Sequence, residues 1–154
     1  MNLSQIKRRV IAPALDRIGL GGDAAVNLIT GTGLVESAYR VTHQIGGGPA
    51  LGWFQMEPAT HDDCWDNFLK YRPELAEKIR GLIHGLIPVP HMLRNNAAYA
   101  VAMCRVKYLR VSEPLPDANN APAMAAYHKK YYNTPLGKAN AEKNIPLFQE
   151  AIDA

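Results

Sequence analysis

Residues Met92–Val111 read MLRNNAAYAVAMCRVKYLRV. Leu93, Ala97, Ala100, Cys104 and Tyr108 recur at steps of four, three, four and four, the spacing that lays apolar side chains along one face of an α-helix. This predicts one long helix over about 92–111, the best in the chain. Outward from it, the same period dominates and strand alternation is nearly absent. Further helices are expected over about 3–18, 23–39, 59–69, 73–85, 122–132 and 138–152. Gly19, Gly21 and Gly22 close the first, Asp23 is placed to N-cap the second, and Pro58 and Pro73 suit first turns. Gly31 and Gly33 lie inside the second, where each costs roughly 1 kcal/mol relative to Ala. Close packing or a nearby functional demand would explain them, with a kink as the alternative.

Two stretches stay irregular. Residues 40–52 carry Gly46-Gly47-Gly48-Pro49, and 113–122 are rich in Pro and Asn. No repeat, low-complexity segment or linker divides the 154 residues. The expectation is a single all-α domain spanning 1–154, with six to eight helices.

Composition narrows the class. Hydrophobic residues make up 47% and charged residues 20%, enough for a packed core. No apolar run approaches the roughly 18 residues a membrane span needs. The net charge of +3 suits an anionic polymer such as a cell wall, but no long basic stripe argues for nucleic acid. Lys7-Arg8-Arg9 and Lys129-Lys130 read as solvated faces. Cys64 and Cys104 stand outside any CxxC and fit reduced, buried thiols, with a bridge between them left open. The basic start is followed only by Val10–Leu15, broken at Pro13, which is no signal peptide. The chain is therefore expected to be made in the cytoplasm without Sec export of its own.

Glu36 is the first candidate for chemistry. It falls near the C-terminal end of the second helix, just before the glycine-rich loop. There the macrodipole, like an apolar pocket, favours a neutral carboxyl, the form general-acid catalysis requires. His61-Asp62-Asp63-Cys64 has metal-ligand residue types, but neighbours on a helix point different ways and no spaced partner follows. His84 and His91 are separated by two prolines and read as no ligand pair. No metal or cofactor is expected.

Glu36-Ser37-Ala38-Tyr39 is followed, sixteen residues after the Glu, by Gly52-Trp53-Phe54-Gln55-Met56-Glu57-Pro58-Ala59-Thr60. This resembles the soluble lytic transglycosylase family of the lysozyme-like superfamily, which has a Glu-Ser pair, an aromatic, a small-residue loop and a Gly-Leu-Met-Gln-x-x-Pro-x-Thr run. Gln55, Pro58 and Thr60 match in register, while Trp53 and Phe54 stand for Leu-Met. Asn96–Leu109 looks like the family's core helix with its terminal Tyr-Leu pair. Ala125-Ala126-Tyr127 looks like the start of its Ala-Tyr-Asn-Ala-Gly motif, although His128-Lys129-Lys130 replace the rest. The resemblance spans about residues 23–133.

The resemblance implies a goose-type, lysozyme-like fold and peptidoglycan glycan strands as partner and substrate. Glu36 would be the single general acid and then base. The muramic C6 hydroxyl would attack, closing a 1,6-anhydro ring. By the same resemblance Ser37 would polarise the N-acetyl group or hold the Glu, and Gln55 would bind substrate. Gly52 would let the backbone approach the sugar, and Tyr127 would orient Glu36. Trp53 and Phe54 are expected as packing under the loop rather than as sugar platforms. Glu57 departs from the family's apolar position: either a charge at a helix N-terminus or a second carboxylate in the cleft. Absence of an export signal in such an enzyme suggests a bacteriophage endolysin or virion-associated lysin, with a secretion-associated enzyme as the alternative. The rivals are a hydrolytic muramidase on the same scaffold and a non-catalytic wall-binding subunit.

Overall fold

A computed structural model describes residues 1–40, 47–133, 137 and 139–154. Residues 41–46 of the expected loop at 40–52 and residue 138 of the last expected helix therefore lie outside the described residues. Among those described, the regular elements are all helical, with a single isolated bridge between Leu51 and Met56. Among the described residues no helix is long and apolar enough to cross a membrane.

The first helix begins with a reciprocal cap. Asn2 Oδ1 accepts from the Gln5 amide at 2.9 Å, and Gln5 Oε1 accepts from the Asn2 amide at 3.0 Å. α1 (Leu3–Ile6) runs through a π-helical turn (Lys7–Ile11) into α2 (Ala12–Arg17). The widening lies just before Pro13, whose ring offers no N–H to the helical ladder. α3 (Asp23–Ser37) is N-capped by Gly22 rather than Asp23, which instead places its charge in the first turn. α3 ends two residues earlier than expected, because Ala38 and Tyr39 both turn left-handed, at φ 51° and 57°.

The glycines of α3 serve close packing. A Cβ on Gly31 would stand 2.2 Å from the Phe148 ring, and one on Gly33 would stand 2.2 Å from the Tyr39 ring. Tyr39 folds back over α3 and donates from its hydroxyl to Thr30 O at 2.8 Å.

The remaining elements are α4 (Pro58–Asn67), a short 3-10 turn (Leu69–Tyr71), α5 (Pro73–Gly81), α6 (Met92–Asn95), α7 (Ala97–Leu109), α8 (Ala121–His128), a second π-helical turn (Lys129–Asn133) and α9 (Ala141–Asp153). With α1 and α2 continuous, the described residues form eight helices. The long helix expected over 92–111 is divided at Asn96. Its Oδ1 accepts from the Tyr99 amide at 3.0 Å, and its Nδ2 donates to Leu82 O at 2.9 Å, so it caps α7 instead of continuing α6. α7 is also more than a one-faced helix. Tyr99 through Val106 and Tyr108 are all buried, which makes it the central helix of the domain.

α9 packs against both α3 and α8 on one side of this core. Lys7 caps α9, its Nζ donating to Ala151 O, Ile152 O and Ala154 O at 2.7, 3.1 and 3.2 Å. Lys129 Nζ donates to Gly137 O at 2.7 Å. One lysine of each basic cluster thus ties chain segments together and is not part of a purely solvated face. Cys64 and Cys104 are buried free thiols, and burial pushes both above the usual thiol range.

Candidate active site

The site grows from a tight turn. Leu51 and Met56 exchange both backbone hydrogen bonds, at 2.9 and 3.1 Å, and enclose Gly52–Gln55 between them. Gly52 has φ +77°, and a Cβ there would stand 2.2 Å from the Leu93 carbonyl oxygen. Only glycine meets both demands. Gln55 is left-handed at φ 48° without being glycine, and its Nε2 donates to Gly52 O at 2.9 Å. Such a conformation persists where the surroundings hold it. Here they do so from two sides. Ser37 Oγ donates to Trp53 O at 2.7 Å and accepts from the Tyr39 amide at 3.1 Å. Tyr132, from the second π-helical turn, donates from its hydroxyl to Phe54 O at 2.6 Å.

Glu36, in the last turn of α3, faces α8. His128 Nε2 lies 2.9 Å from Glu36 Oε1. The His128 side chain is fully buried, while that of Glu36 is 16% exposed. The carboxyl is therefore mostly covered, yet it opens on one side to a cavity of about 300 Å³. Gln55, Glu57, Thr60, Lys107, Tyr132 and Asn133 complete the lining. Burial lowers the Lys107 ammonium below the usual lysine range, an effect that nearby charges, Glu36 and Glu57 among them, oppose. Lys107 Nζ donates to Tyr132 O at 2.7 Å and sits 4.0 Å from the centre of the Tyr132 ring. Burial likewise holds the Tyr132 phenol well above its ordinary range, so it remains a donor.

Three residues expected from sequence meet here: Glu36, Gln55 and Glu57. Glu57 occupies the N-cap position of α4 and is exposed, but its side chain makes no capping hydrogen bond. Ser37 and Gly52 stand behind the cavity and shape it through the turn. The hydroxyl of Ser37 is spent on Trp53 O, and the missing Cβ of Gly52 makes room for Leu93. Phe54 is buried in the core, and Trp53 is half-buried with its ring 5.1 Å edge-on from Tyr39.

Tyr127 requires a correction. It does not touch Glu36. Its hydroxyl donates to Glu113 O at 2.9 Å, and its ring stacks on Tyr108 with centroids 5.5 Å apart. Successive helical residues point about 100° apart, so only one of Tyr127 and His128 can face α3. His128 takes that place. Sequence reasoning missed it, along with Lys107, Tyr132 and Asn133. A signal existed for Lys107, which with Arg105 is one of only two charged residues in a helix otherwise made of apolar and tyrosine side chains.

Other clusters are accounted for structurally. His61 is buried and lies between Asp62, at 2.9 Å, and the Tyr99 hydroxyl, at 2.6 Å, which also accepts from Trp65 Nε1. Among the described residues no three His, Cys, Asp or Glu side chains converge as metal ligands would. A larger hollow of about 730 Å³ lies between Asn2–Ser4 and α9. Its carboxylates, Glu150 and Asp153, are exposed on the surface of one helix, so the smaller cavity around the shielded Glu36 is the better candidate for chemistry. No protein-family model, curated protein or solved structure matches the chain.

Proposed function

We propose that this chain cleaves peptidoglycan glycan strands as a lytic transglycosylase on a lysozyme-like helical scaffold. One observation carries the reading: a single mostly covered carboxyl, Glu36, is held by a buried histidine at the edge of a polar cavity that also presents Gln55. A shielded acid beside an open polar space is what protonation of a glycosidic oxygen requires. Glu36 protonates the leaving oxygen between the muramic and glucosamine residues. The muramic N-acetyl group stabilises the oxocarbenium-like centre. Glu36, now a carboxylate, takes the proton of the muramic C6 hydroxyl, whose oxygen closes the 1,6-anhydro ring. Gln55, held by its bond to Gly52 O, lines the cavity in which the substrate lies.

A second reading rests on Glu57. It lines the same cavity as Glu36, and a second carboxylate could activate a water for hydrolysis. Both readings place the acid at Glu36. Glu36→Gln keeps the shape of the side chain and removes the acid. Release of dye from labelled peptidoglycan should fall by about a hundredfold or more, with the helical circular dichroism unchanged. Release at the wild-type rate would overturn the assignment.

A further inference from the structure

His128 was not anticipated as part of the site, and its surroundings define what it does there. The ring is fully buried. It lies nearly parallel to Tyr132, with centroids 5.6 Å apart and planes at 20°, and Phe148 covers it at 5.8 Å. Each plate is itself anchored. Tyr132 is held through its hydroxyl to Phe54 O and through its carbonyl by Lys107. Phe148 fits only because Gly31 carries no Cβ. The ring therefore has one orientation, with Nε2 on Glu36 Oε1 at 2.9 Å. On its other side Nδ1 is buried and has no hydrogen-bond partner among the described residues.

That asymmetry selects a tautomer. In the neutral ring one nitrogen carries the hydrogen. A hydrogen on Nδ1 would be a buried donor with no acceptor among the described residues. A hydrogen on Nε2 points at Oε1 and leaves only an unpaired acceptor at Nδ1. Orphaned buried donors are the rarer and less tolerated of the two.

We propose that His128 is a positioning residue that fixes which oxygen of Glu36 carries the acid proton. Its Nε2–H keeps Oε1 as an acceptor, so the transferable proton resides on Oε2, which has no hydrogen-bond partner among the described residues. The step balances as an ordinary acid transfer. Oε2–H breaks, the leaving glycosidic oxygen gains the proton, and the Oε1···H–Nε2 bond persists and strengthens as the carboxylate forms. The imidazole keeps its hydrogen throughout. This role rests on the glycan-cleaving reading of Glu36, whereas the tautomer does not.

Two measurements test the proposal separately. In protein labelled with 15N-histidine, long-range proton–nitrogen correlation reports each ring's tautomer, and the His128→Phe variant identifies the His128 signals by their loss. An Nε2–H pattern is expected, and an Nδ1–H pattern overturns the proposal even if the protein cleaves no glycan. The second measurement is steady-state kinetics on soluble, uncrosslinked peptidoglycan strands. His128→Phe keeps a flat ring between Tyr132 and Phe148 but has no donor. Its kcat should fall about ten- to hundredfold, the scale of misplacing a reacting group, with KM within about twofold. His128→Gln restores an N–H near the Nε2 position and should recover most of that loss. Wild-type kcat in His128→Phe would show that the ring only fills space, and equal losses in both variants would show that an N–H at this position is not what the reaction requires; either result overturns the proposal. An inactive wild-type protein with the Nε2–H pattern would count against the glycan reading and leave the tautomer standing.

Discussion

At the scale of single residues, the turn at Gly52–Gln55 carries more of the site than any one contact to a ligand. Gly52→Ala places a Cβ 2.2 Å from Leu93 O, a backbone atom that cannot swing aside, at a φ of +77°. Strain of this kind is on the order of 1–3 kcal/mol, and the clash adds to it. We expect urea denaturation to show a loss of about 2 kcal/mol or more; a change within about 0.5 kcal/mol would mean the turn is not held as described. Glu36 and Gln55 were legible in the sequence because each belongs to a short local pattern. The partner of Glu36 was not. His128 lies 92 residues further along the chain, and the packing of α9 on both α3 and α8 brings it there. The local pattern around Ala125-Ala126-Tyr127 pointed to the neighbouring residue, on a different face of the same helix. Glu57 was legible as a departure, but its choice between capping and facing the cavity depends on a side-chain direction that spacing does not encode.

At the scale of elements, the helices were legible in their apolar period and their ends were not. Asn96 ends one helix by capping the next, Ala38 and Tyr39 end α3 by turning left-handed, and Pro13 follows a widened turn. Each boundary is decided by a few hydrogen bonds that periodicity does not register. The same contrast separates two glycines. Gly81, in the last turn of α5, has nothing within 4 Å of a Cβ, so Gly81→Ala gains only helix propensity, up to about 1 kcal/mol. Gly31→Ala gains the same propensity but drives a Cβ into the ring of Phe148, which is fully buried. Overpacking of this kind costs about 1–3 kcal/mol, so packing wins. Thermal melts should move in opposite directions, up for Gly81→Ala and down for Gly31→Ala. Gly31→Ala should also slow glycan cleavage, because Phe148 is one of the plates that hold His128. A rise in Tm for both variants would contradict the packing of α3 against α9.

At the scale of the whole molecule, α2, α3, α4 and α6 pack on a buried central helix, α7, and the candidate site lies where α3, the Leu51–Met56 turn, α7 and the second π-helical turn converge. The all-α class followed from composition and periodicity. The assembly of this site did not, because Glu36, Gln55, Lys107 and Tyr132 come from four separate segments whose meeting is a tertiary fact. The cavity holds one shielded carboxyl and one exposed carboxyl, and the two lead to different products. An acid that also serves as the base for the sugar's own hydroxyl forms an anhydro ring. An acid paired with a carboxylate that activates water forms a reducing end. The most direct test is mass spectrometry of the fragments released from purified peptidoglycan, without prior borohydride reduction. Fragments one water lighter than hydrolysis products, ending in 1,6-anhydromuramic acid, are expected. Fragments with reducing ends would contradict the single-acid mechanism and transfer the second role to Glu57.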